Sequence, residues 1–185
     1  MNIRAIAIAI AFAAAATMAV PGLANAANTI TFSGEVTDQT CSAVVDGNTE
    51  PTVVMQSVPA SALSGSTGKN TGETKFTLRL TGCAAPTDAN EQFTTLFQAT
   101  NPTSLGNLTN TATNGATGVA LQLLDAPGGR PVNLAGGAAV SAGQIILSSG
   151  QTSTSHDYAV RYVSEAATVT AGPVLGAVTY TLRYE

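Results

Sequence analysis

Charge is what this chain has least of. Only 10% of its 185 residues are Asp, Glu, Lys or Arg, against roughly a quarter in an ordinary soluble domain. Seven basic residues against eleven acidic ones leave a net charge of −4. No basic patch is available to meet a phosphate backbone, which speaks against nucleic acid as a partner. Tryptophan is absent, histidine occurs once and cysteine twice. A structural zinc site takes four ligands, so metal and redox chemistry find few parts and no cofactor is expected. Disorder is disfavoured too, because 44% hydrophobic residues and a small net charge do not match the composition of unfolded chains.

Long apolar runs are also lacking. The longest, Ala5–Ala19, follows Arg4 and is stopped by Pro21 and Gly22. It falls short of the ~20 residues a membrane-spanning helix needs, so no stable span is expected. Ala24-Asn25-Ala26 places small residues at −3 and −1 before Ala27. A basic start, an apolar middle and an A-x-A end predict a secretory signal peptide over residues 1–26. Its removal leaves 159 residues, enough for one domain.

Export changes how Cys41 and Cys83 read. In an oxidising compartment an even count points to a bridge, and two cysteines allow one intramolecular pairing. Closing a loop across their 42-position separation stabilises a fold by about 4 kcal/mol on the loop-entropy model.

What the mature chain does contain is period-two alternation. Ile30, Phe32 and Val36 share one parity; Phe76, Leu78 and Leu80 alternate with Thr77, Arg79 and Thr81. Val119, Leu121 and Leu123, then Tyr158, Val160 and Tyr162, repeat the pattern. Val178, Tyr180, Leu182 and Tyr184 complete it. Weaker runs at Thr52–Met55, Phe93–Ala99 and Gln144–Leu147 add further candidate strands. Gly, Pro and Asn turns separate them, and no window sustains a 3.6-residue period over twelve residues. Short strands between such turns predict an all-β antiparallel sandwich. Strands of this hydrophobicity at both ends of a domain are exposed edges that invite association with other chains, unless they belong to a closed sheet.

These motifs resemble the pilin subunits of chaperone–usher fimbriae, above all the major subunit of type 1-like fimbriae. Gly34-Glu35-Val36 with Cys41 is similar to the opening of the pilin domain, and Phe76–Cys83 to the strand bearing the second cysteine. Gly118-Val119-Ala120-Leu121-Gln122-Leu123-Leu124-Asp125 resembles an internal family segment. Counting Glu185 as one, the family pattern asks for an aromatic at two, apolar residues at four, six and eight, and Gly at fourteen; Tyr184, Leu182, Tyr180, Val178 and Gly172 meet it.

The resemblance implies an incomplete immunoglobulin-like sandwich that lacks its seventh strand, with a pilin domain over residues 37–185. Donor-strand complementation completes such a fold by strand addition. The implied donor lies within residues 27–36, with Ile30, Phe32 and Val36 entering pockets. Gly34 either fits a shallow pocket or begins the first strand of the domain. Gly172, Val178, Tyr180, Leu182 and Tyr184 belong to the strand that a periplasmic chaperone and then the next subunit would pair with. An outer-membrane usher completes the implied partners. The implied destination is a cell-surface fimbria supporting adhesion and biofilm, reached through the periplasm.

Other readings carry less. His156 beside Asp157 and near Ser153 and Ser155 is a weak catalytic signal, since a triad is defined by geometry and not adjacency. The sequon Asn107-Leu108-Thr109 has no function attached to it. A minor or adaptor subunit would share every motif named. A secreted carbohydrate-binding adhesin is the competing reading, either a freestanding lectin or a two-domain tip adhesin, and the latter would need a receptor-binding domain for which few residues remain.

Overall fold

The computed structural model describes residues 40–185. Eight strands and one short helix follow in order. They are β1 (Ser42–Val45), α1 (Ala60–Leu63), β2 (Asn70–Thr81), β3 (Glu91–Gln98), β4 (Leu108–Thr109), β5 (Val119–Leu124), β6 (Val140–Leu147), β7 (Ser153–Ser164) and β8 (Thr179–Tyr184). One sheet has the order β1-β2-β7-β5-β4 and the other β6-β3-β8. Every pairing is antiparallel. The architecture is the all-β antiparallel sandwich expected from the alternation.

Burial follows the strand pattern. Phe76, Leu78 and Leu80 of β2 face inward, as do Tyr158 and Val160 of β7 and Phe93 and Phe97 of β3. An aromatic cluster joins the two sheets. Tyr158 lies 5.7 Å from Phe76 within its own sheet and 5.1 Å from Phe97 across the core. In β5 and β7 the opposite parity is buried as well: Ala120, Leu124, Ala159 and Val163 are all inaccessible. The central strands are therefore covered on both faces, which simple alternation does not reveal.

Several expected strands differ from their prediction, and β2 and β7 begin at Asn70 and Ser153, ahead of the rows that announce them. Thr52–Met55 is extended but forms no strand, because no described strand lies beside it to complete a ladder. β6 is twice as long as the run Gln144–Leu147 that announced it. The pairing of β6 with β3 shifts register between Thr94 and Leu96, beside Gly143 at φ +99°. A bulge of this kind flips the inward parity, so Ala142 and then Ile145 and Leu147 point into the core. The last strand starts at Thr179 instead of Val178. β1 and β4, of four and two residues, were not anticipated at all.

Cys41 and Cys83 are disulfide-bonded. They stand just beyond the paired ends of β1 and β2, where Ser42 faces Thr81. Thr40 Oγ1 donates to the Gly82 carbonyl at 2.7 Å alongside. The bridge thus anchors the short edge strand β1 to its partner.

Candidate functional site

The second sheet is closed on one side of β3 by β6 and on the other by β8, and β8 has no described strand on its outer edge. From Val174 to Tyr184 the burial alternates strictly. Even-numbered residues are half-buried and odd-numbered ones exposed. Val178, Tyr180, Leu182 and Tyr184 therefore all turn toward the core, packed against it without being sealed. One strand away, Phe93 and Phe97 are 0% and 2% exposed. The difference is a matter of cover: each side chain of β3 has neighbours on both flanks, whereas those of β8 have them on one.

A second extended segment faces the first. Pro51, Val53 and Met55 are half-buried, and Val54 between them is 81% exposed. Among the described residues, the backbone of residues 51–58 makes no hydrogen bond to another segment. Between these two walls runs an apolar groove of about 820 Å³, floored by Phe76, Leu108, Leu121, Leu123 and Val160. Tyr162 and Val174 line it and also a smaller cavity of about 330 Å³, whose lining includes Val58 and Leu63.

Both ends of the wall Val174–Tyr184 are tied down. At the far end, Glu185 N donates to the Gln92 carbonyl. The Glu185 carboxylate accepts from Thr94 Oγ1 at 2.5 Å, Arg183 at 2.7 Å and Gln144 at 2.9 Å. The Thr94 hydrogen bond, followed by that from Arg183, holds the Glu185 carboxyl below the usual carboxylate value. Near the middle, the Tyr180 hydroxyl reaches the Ala43 carbonyl of β1 at 3.5 Å. At the near end stands Gly172. A Cβ there would lie 2.6 Å from Ala116 N and 2.9 Å from the Gly115 carbonyl carbon. Glycine is required at 172 because the backbone of another loop packs directly against it.

The structure thus gathers Val178, Tyr180, Leu182 and Tyr184 along one wall and sets Gly172 at its entrance. Ile30, Phe32, Gly34 and Val36 lie outside the described residues. Sequence reasoning missed the facing wall. The signal available is the weak apolar run Thr52–Met55, which the sequence offers only as a further candidate strand.

His156 takes no part in a triad geometry. Its Nε2 is 2.8 Å from the Asp125 carbonyl and its ring rests 4.5 Å from that of Tyr158. Asp157 is engaged elsewhere, accepting from Thr77 Oγ1 at 2.7 Å and Lys75 Nζ at 3.0 Å. Asn107 of the sequon is buried, and its Nδ2 donates to Glu165 at 2.6 Å. Among the described residues, no three His, Cys, Asp or Glu side chains gather into a metal-binding group. No described helix is long and apolar enough to cross a membrane.

Comparison with known proteins places this arrangement. Residues 30–185 match the family model for fimbrial protein. The chain is 36% identical over 159 residues to the F17 fimbrial protein of Escherichia coli, covering 84% of this chain and 86% of that one. It is 36% identical over 172 residues to the major fimbrial subunit SMF-1 of Stenotrophomonas maltophilia (strain K279a), covering 90% and 98%. Among solved structures, a Burkholderia pseudomallei antigen and type I fimbria protein superposes with a TM-score of 0.54 at 27% identity, covering 79% of this chain and 99% of the other. The P pilus rod subunit PapA superposes at 0.51 with 23% identity, covering 85% and 100%, a likeness of fold. The chain belongs to the fimbrial protein family, as a structural subunit of a cell-surface fimbria.

Proposed function

We propose that this subunit polymerises by lending residues 27–36 to the groove of another copy, and that the groove marks the place of a missing seventh strand. The supporting observation is the pair of facing walls whose inward side chains are only half-buried. A strand laid between them would cover both rows at once and satisfy the outer edge of β8. The dimensions agree: at about 3.3 Å per residue, ten donor residues span about 33 Å, close to the eleven-residue wall from Val174 to Tyr184.

The energetics are adequate. Burying Ile30, Phe32 and Val36 at roughly 1.5–3 kcal/mol each contributes on the order of 5–9 kcal/mol. Each ladder hydrogen bond adds about 0.5–1.5 kcal/mol net. The total is comparable with the ~5–15 kcal/mol stability of a whole domain. Gly34 would either enter a pocket too shallow for a side chain or begin the first strand of the domain.

In this reading residues 1–26 direct export and are removed, and residues 37–185 form the pilin domain. A periplasmic chaperone occupies the groove first, and the next subunit replaces it at an outer-membrane usher. The near full-length match to a major fimbrial subunit supports the same rank here. The role is structural and non-catalytic, and the fibre supports adhesion and biofilm.

Deleting residues 27–36 from the chain, expressed with its chaperone and usher, should leave a secreted subunit that forms no fibre under the electron microscope. Fibres of normal length from the deleted chain would overturn the donor assignment.

A further inference from the structure

At the near end of the groove wall one side chain makes four of the hydrogen bonds. Asn110 follows β4 and uses all four hydrogen-bonding positions of its amide. Its Nδ2 donates to the Ala116 carbonyl at 2.8 Å and to the Pro173 carbonyl at 3.1 Å. Its Oδ1 accepts from Leu175 N at 2.9 Å and Ala112 N at 3.1 Å. Backbone bonds run in parallel, from Thr111 N to the Leu175 carbonyl at 2.8 Å and from Ala116 N to the Pro173 carbonyl at 2.9 Å. The loop 110–116 therefore grips residues 173–175 on both sides of Val174, which with Tyr162 lines both the groove and the smaller cavity.

Beyond this grip the wall is unsupported for a stretch. Gly176, Ala177 and Val178 make no hydrogen bond to another described segment, and pairing with β3 begins at Thr179. The opposite wall, residues 51–58, has no such bonds either. Without Asn110, residues 173–175 would keep only the Thr111 and Ala116 backbone bonds and the Thr111 Oγ1 contact with the Leu175 carbonyl at 3.2 Å. The wall from Pro173 to Val178 would be freer to fold into the groove over its own apolar floor. A strand entering from outside would then first have to displace it.

We infer that Asn110 is a positioning residue for strand uptake: its amide keeps the near end of the groove open while the groove is empty. This rests on the reading of the groove as a strand acceptor. The apparent affinity of a site falls with the fraction of molecules in the competent state. If loss of the amide leaves the wall in place about one tenth of the time, binding weakens about tenfold. The loss would fall on association, because a preceding conformational change slows arrival. Once a strand is bound, its own ladder holds the wall and Asn110 is dispensable.

The test uses a synthetic peptide of residues 27–36 binding to the purified full chain and to its Asn110→Ala and Asn110→Asp variants. Association rates and amide exchange at Leu175 and Ala116 are both recorded. The expectation is association about tenfold slower for Asn110→Ala, with dissociation within twofold of wild type. Asn110→Asp keeps the acceptor and loses the two donors, so it should fall between; it decides the matter if the Ala variant fails to fold. Exchange at Leu175 should be faster than wild type without peptide and equal to it with peptide. A general loss of structure would instead raise exchange in both states. Wild-type association rates in both variants would overturn the role of Asn110 while leaving the groove reading intact. Failure of the wild-type chain to bind the peptide would overturn both.

Discussion

Two neighbouring strands of one sheet, β3 and β8, carry the same kind of inward row and meet different fates. On β3, Phe93 and Phe97 are sealed; on β8, Tyr180, Leu182 and Tyr184 touch the same core and stay half-open. Tyr184 even packs edge-on against Phe93 at 5.1 Å. Hydrophobicity is therefore not what separates them. Cover is: among the described residues, β3 is flanked by strands on both sides and β8 on one. The first row stabilises the subunit itself; in the proposed function the second reserves its burial for a partner.

The sharpest way to break this comparison is to truncate one side chain from each row. Phe97→Ala removes a buried ring that contacts Tyr158 and Tyr180. It should cost about 3–5 kcal/mol, seen as a lower denaturant midpoint whether or not donor peptide is present. Leu182→Ala should cost the empty subunit only about 1–2 kcal/mol, because part of its surface is already solvated. Peptide affinity should fall by a similar free energy. Equal losses of stability for the two variants, with peptide binding unchanged, would show that β8 is as complete as β3.

The smallest expected effect is electrostatic and marks where β8 ends. The Glu185 carboxyl is held below its ordinary value of 4.5 by Thr94 and Arg183. A lowered folded-state pKa means the ionised form favours the fold. That contribution is complete above about pH 4.5 and is lost as pH falls through the lower folded value. Glu185→Gln should therefore show a shallower drop in Tm between pH 6 and pH 3 than wild type. Some acid sensitivity should persist through Asp157, which Thr77 and then Lys75 hold below 3.8. An identical slope in the variant would remove Glu185 from the account.

β2 and β8 were legible because each carries a single clear apolar row, Phe76, Leu78 and Leu80 in the first and Tyr180, Leu182 and Tyr184 in the second. β1 and β4 were invisible for the opposite reason. A strand of two to four residues, such as Leu108–Thr109, holds too little alternation to register. β6 was half-legible because the bulge at Gly143 reverses the parity midway. Residues 51–55 were legible as extended chain but not as a groove wall, since alternation says nothing of whether a neighbour exists. Asn110 had no sequence signal at all. Its importance comes from two segments, sixty-odd positions apart, that only the fold brings together. Gly172 was visible through family resemblance, yet its reason is steric and emerges only from the loop packed against it.

The central claim is that the open row of β8 is closed by residues 27–36 of another copy. Amide hydrogen exchange on assembled fibres, set against the subunit deleted of residues 27–36, tests it most directly. The expected result is strong new protection over residues 51–55 and 179–184, with the β2 and β7 amides unchanged. Fibres in which those two segments exchange as fast as in the deleted subunit would contradict the account.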